Sequence, residues 1–197
     1  GAGPGGTAGA TGRAGMGATG ATSGAATQSG TAAPSTQAGA SPATLNRADQ
    51  SMLKDMAQAQ LDEIAAARIA LDRSKNDTVR KFAQTMIDDH TKALDNITTL
   101  ARSKTVTLPT EPDTRHKAAA AAMSKLSGDA FDKAYMKQAG LNDHTKVLDM
   151  LKKGSTKAKD PDLQALVSTL TPVVSSHLDA AKSMQGAAAG SSSSGGR

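Results

Sequence analysis

Cysteine and tryptophan are absent from this chain of 197 residues, and two Phe and one Tyr are its only other large aromatics. The missing cysteine excludes a disulfide framework and any thiolate-held metal. The missing aromatics, together with Lys and Asp that alternate instead of clustering into a basic face, argue against nucleic-acid binding despite a net charge of +5. No apolar run approaches the roughly 20 residues of a membrane span. Large apolar side chains are also missing over long stretches. Residues 1–44 hold only Met16 of that kind, and Arg13 is their one charge. Such a segment cannot offset the entropy of ordering and is expected to be a flexible tail or linker. Residues 186–197 repeat that chemistry and are expected to form a disordered C-terminal tail. A neutral tether ahead of a small domain, with Gly in first place instead of Met, leads to the expectation of an exported protein, periplasmic or secreted, with its signal removed.

What remains, residues 45–185, is rich in Ala, Leu, Met, Lys and Asp, a helix-forming composition with little β-branched content. Apolar spacing by threes and fours predicts helices over about 47–73, 77–103, 113–126, 129–153 and from Asp160 onward. Asn46 is the expected N-cap of the first, Asp77 that of the second, and Gly154 the expected stop of the fourth. Pro161 suits the first turn of the last helix, whereas Pro172 should kink its interior. Short turns after the first and fourth helices, and a long connection after the second, predict an all-α, ferritin-like four-helix bundle whose crossover carries an extra short helix.

Histidine is scarce, with four in the chain. Two of them lie in a repeated segment, Asp89-His90-Thr91-Lys92-Ala93-Leu94-Asp95 and Asp143-His144-Thr145-Lys146-Val147-Leu148-Asp149. His90 belongs to the apolar stripe of the second helix, His144 to that of the fourth, and His177 to that of the last. Glu63 falls on one of two alternative stripes of the first. Four helices thus each offer one ligand near a common level. Three imidazoles and a carboxylate suit a single borderline divalent ion, Zn²⁺, Cu²⁺, Fe²⁺ or Mn²⁺. Such an ion would offset the cost of burying them. Asp89 and Asp143, about 100° round their helices from the adjacent histidines, are expected to orient a residue on a neighbouring helix or to face solvent. His116, beside Arg115 and Lys117, reads as a surface residue.

Several strings resemble a family of small exported bacterial proteins with a ferritin-like domain of unknown function, often labelled outer-membrane or periplasmic. They are Leu61-Asp62-Glu63-Ile64, the run Phe82 to His90, Val106-Thr107-Leu108-Pro109, the run Ser127 to Tyr135, Asp143-His144, and Leu170-Thr171-Pro172 followed by His177. The resemblance spans about residues 45–185. It implies an exported four-helix bundle with possible envelope association and implies no reaction.

The familiar di-iron pattern, Glu-x-x-His on two helices, is missing: Ile87, Leu141 and Val174 stand three residues before the histidines. A conventional di-iron centre is therefore not expected. Nor is there a nucleophile–base pair, a phosphate loop or a paired-carboxylate site, so a binding role is favoured over an enzyme. The competing expectation is a structural or stress-associated envelope protein whose Glu–His network fixes helix pairing without metal. Because the repeat falls on the second and fourth helices, it reads as two similar ligand-bearing helices and not as a duplicated half-bundle.

Overall fold

The computed structural model describes residues 44–192, with side chains through 185. The tails expected at 1–44 and 186–197 fall mostly outside the described residues, which take in only Thr44 of the first. From 186 to 192 the backbone continues the last helix, in place of the expected tail.

All regular structure among the described residues is helical: α1 (Arg47–Arg73), α2 (Asp77–Ser103), α3 (Thr114–Met123), α4 (Gly128–Tyr135), a π-helical segment (Met136–Asp143), α5 (His144–Lys157) and α6 (Pro161–Ser192). Side-chain caps fix several starts. Asn46 accepts from the Asp49 amide at 2.8 Å, as expected. For α2 the cap is Asn76, one residue earlier than expected, accepting from the amides of Thr78 and Val79. Asp113 caps α3 through the His116 amide. Asp160 caps α6 through Asp162 and Leu163. Gly128 opens α4 with φ of 56°, a backbone state that costs other residues a Cβ clash.

Helix α1 packs along α2, and α5 along α6, while α6 also contacts α2 and the π segment. Joined by short turns, each packed pair is antiparallel. The interior forms two apolar clusters. One gathers Leu53, Met56, Ile97, Leu151, Leu163 and Val167. The other gathers Phe82, Met86, Phe131, Tyr135, Met136 and Ala139. Gln60, Glu63, His90 and His144 are buried at chain positions between these clusters, and His177 is buried near the end of the first cluster's run on α6, as a polar belt across the interior.

The π segment makes this belt possible. At an α-helix's roughly 100° per residue, the nine steps from Tyr135 to His144 turn about 900° and leave the two side chains on opposite faces. The i→i+5 winding turns less per residue. Tyr135 and His144 are accordingly both buried, at 0% and 1% exposure. The helix also runs on past Gly154, its expected stop. Gly154 instead admits the Met52 side chain, whose Cε lies 1.8 Å from where a Cβ would stand. Helix α6 continues through Pro172.

At one end of the helices, Asp49 accepts from the amides of Lys159 and Asp160, at 3.0 and 2.8 Å to Oδ2. Asp160 in turn pairs with Lys104 at 2.8 Å, both side chains only 3% exposed. The start of α1, the end of α2 and the start of α6 are therefore latched together.

Candidate metal centre

Three of the four expected ligands converge. One nitrogen from each of His90, His144 and His177 lies within 4.8 Å of the others, and all three residues are buried. Ring centroids are 5.1–5.4 Å apart. The fourth expected ligand, Glu63, is not in that group. Its Oε2 lies 3.9 Å from His144 Nδ1, whereas the His144 nitrogen that faces His90 is Nε2. Helix α1 buries parts of both expected stripes, Met56, Glu63 and Ala70 of one and Leu53, Gln60, Ile64 and Ala67 of the other. The α1 side chain that hydrogen-bonds a histidine of the triad is Gln60.

Each ring is anchored by one nitrogen. His90 Nδ1 donates to Gln60 Oε1 at 2.7 Å, and the amide end of Gln60 donates to the Met56 carbonyl, which fixes its orientation. His144 Nδ1 donates to the Ala139 carbonyl of the π segment at 2.6 Å. His177 Nε2 donates to Asp89 Oδ2 at 2.8 Å. Anchoring one nitrogen fixes the tautomer and leaves a lone pair on the other. His90 Nε2 and His144 Nε2 then face each other at 3.3 Å with no proton between two neutral rings. His177 Nδ1 is buried without a hydrogen-bond partner. Burial, reinforced by the neighbouring imidazoles His144 and His177, holds His90 well below the ordinary histidine range. Burial likewise lowers His144 to about 4, against the opposing bond to Ala139. His90 and His144 are thus held in the neutral form in which histidine binds metal.

Asp89, half-exposed, accepts from a histidine of another helix. Asp143, its counterpart in the repeat, touches a different histidine: its Oδ2 lies 3.1 Å from His116 Nε2 and its Oδ1 accepts from Gln138. His116, expected at the surface, is a tie between elements, with Nδ1 2.8 Å from Asp113 and 3.1 Å from Asp62. Burial opposes its charge, but the bond to Asp113 and the charges of Asp143 and Asp62 outweigh that, and its pKa is raised.

Glu63 accepts no hydrogen bond at either oxygen, and neither does the Tyr135 hydroxyl have a partner. Burial, with the Asp143 and Asp62 charges, pushes the Glu63 carboxyl well above the ordinary range. Burial and then Glu63 push Tyr135 up as well.

Residues 34–184 match the family described as Domain of unknown function (DUF4142). The chain belongs to the DUF4142 family. No curated protein matches it. Two solved structures share the fold of this DUF4142 chain. A DUF305 fragment from Deinococcus radiodurans is 14% identical with a TM-score of 0.65, over 73% of this chain and 98% of that one. CopM in its Cu(II)-bound form is 20% identical with a TM-score of 0.57, over 69% of this chain and 94% of that one. At these identities the likeness is one of fold. No helix among the described residues is long and apolar enough to cross a membrane.

Proposed function

We propose that this DUF4142 protein binds one divalent metal ion in its interior through His90, His144 and His177. The observation that carries the reading is the set of three unengaged nitrogens. One nitrogen of each ring lies within 4.8 Å of the others, His90 Nε2 faces His144 Nε2, His177 Nδ1 has no hydrogen-bond partner, and the opposite nitrogen of every ring is held by Gln60, Ala139 or Asp89. Such outer hydrogen bonds orient metal-binding histidines and raise their basicity. An ion between them would also relieve the opposed lone pairs at 3.3 Å and the orphaned His177 nitrogen. Three imidazoles suit Cu²⁺ or Zn²⁺ above the harder cations. They leave a coordination position for water or another small ligand. That CopM, with a similar fold, was seen with Cu(II) bound supports the reading.

The frame of this proposal is a ferritin-like bundle, in which sites are built from side chains on facing helices. The accompanying location is outside the cytoplasm, a reading that rests on the low-complexity composition of residues 1–44. Cell fractionation tests it.

The test of the centre is elemental analysis of tag-free protein reconstituted with Cu(II) or Zn(II), beside a variant carrying His90→Ala, His144→Ala and His177→Ala. One ion per chain is expected in the parent and none in the variant. A parent that holds no stoichiometric metal, and whose melting temperature ignores chelators, defeats the proposal. A metal-free network is favoured by one observation, the hydrogen-bonding distance between His90 Nε2 and His144 Nε2, which a shared proton could bridge. That reading predicts that Leu or Met in place of the histidines preserves or raises stability.

A further inference from the structure

A second donor set lies beside the triad and is built of different atoms. A cavity of about 190 Å³ is lined by Asp55, Asp62, Glu63, Asp113, His116 and Asp143, with the exposed Lys146 also on its wall. Ligand atoms of Asp62, Asp113 and His116 lie within 4.8 Å of one another. The two oxygens of Asp62 have separate duties. Oδ1 accepts from the Asp113 amide at 2.9 Å and from Gln58 at 3.1 Å, which fixes the carboxylate against the crossover. Oδ2 is turned to His116.

Acidic groups that gather round a histidine need no metal, because the imidazolium can pair with them. Glu63 is the observation that pairing leaves unexplained. It lines the same cavity, is 2% exposed, and accepts no hydrogen bond at either oxygen. A buried carboxyl without a partner is costly, and His116, engaged with Asp62, Asp113 and Asp143, is not bonded to it. An anion is excluded by the carboxylates on the wall. The room, the charge and the orphaned oxygens fit a cation.

We propose that this cavity is a second divalent-cation site, with Asp62 and Asp113 as its outer carboxylates, Glu63 as its buried one, and His116 as a further ligand once the entering ion displaces the proton that now pairs it with the aspartates. Carboxylate oxygens with one imidazole suit Mn²⁺ and similar oxygen-preferring ions, in contrast to the nitrogen triad. Glu63 lies within 3.9 Å of His144 Nδ1, so the two sites are neighbours across one imidazole ring. The inference stands on the cavity alone and does not require an ion at the triad.

The test uses the full chain carrying His90→Ala and His177→Ala, which removes the triad as a competing site. Mn²⁺ is titrated in and the free ion followed by electron paramagnetic resonance. One saturable Mn²⁺ per chain is expected, weakened about tenfold or more by Glu63→Gln and by Asp62→Asn. Glu63 makes no hydrogen bond, so its Gln variant removes none and remains informative even if Asp62→Asn loosens the crossover. No saturable Mn²⁺ binding, or equal affinity after Glu63→Gln, overturns the proposal. Failure of the triad would show separately, as absence of Cu(II) or Zn(II) from the parent chain.

Discussion

The two copies of the Asp-His-Thr-Lys segment begin alike and end in different chemistry. Their histidines meet, Nε2 to Nε2, at the centre of the polar belt. Their aspartates part: Asp89 reaches across to His177 inside the triad, while Asp143 reaches across to His116 on the crossover. One copy is thus wholly committed to the nitrogen cluster. The other is shared between that cluster and the acidic cavity. The anchors differ too. His90 leans on a side chain, Gln60, whereas His144 leans on a carbonyl of the π segment, which no side-chain substitution removes. Sequence similarity reports where the histidines go, and local winding decides what each neighbouring aspartate can touch.

Acid titration separates the two regions most strongly. His144 falls to about 4 in the folded chain against an unfolded value of about 6.5. Its stabilising contribution is therefore complete above about pH 6.5 and lost as pH falls through about 4, an effect of about 3 kcal/mol. His90, also lowered, adds in the same direction. His116 is raised, so its contribution is complete below about pH 6.5 and is lost as pH rises through its folded value. Urea melts of chelator-treated protein across this range should show the acid limb vanish in a His90→Leu, His144→Leu variant and persist in His116→Asn. An acid limb retained by the double variant would break the distinction.

Substitution of the two aspartates sharpens it. Asp89→Asn removes the charged acceptor of His177 and should weaken metal at the triad about 10- to 100-fold, while Asp143→Asn should leave it within about threefold. Competition titrations with a chromophoric chelator measure both, and equal losses would show that the aspartates do the same work. Gln60→Leu should weaken metal at the triad less than Asp89→Asn does, by about tenfold or less, because packing still holds His90 in place. The same titration checks it, and the expected contrast is with His144, whose backbone anchor remains.

Much of this is legible in residue order. Three histidine stripes, the Asn46 cap and the start of α6 follow from helical spacing, because caps and stripes are local. Glu63 is harder. Helix α1 offers two overlapping stripes and buries parts of both, and which buried side chain meets the histidines depends on partners that spacing along α1 does not reveal. His116 misleads because its neighbours Arg115 and Lys117 are charged, whereas its environment is made by Asp62 and Asp143 from other elements. The π segment leaves no plain signature, since its buried residues Met136, Ala139, Gly140 and Asp143 keep the i, i+3, i+4, i+7 spacing of an ordinary helix face. Gly154 shows the opposite error: a residue that commonly ends helices is here a gap filled by Met52.

The latch at the far end has a kinetic meaning. Asp49 and Asp160 are 111 residues apart in the chain, so their hydrogen bond closes a loop that encloses both copies of the repeat. Loop closure of that length delays a contact until the intervening helices have docked. The Asp160 amide should therefore exchange with solvent slowly, and only when the start of α1 comes away. Hydrogen exchange at that one amide becomes a clock for the opening of the enclosed segment, including His90 and His144.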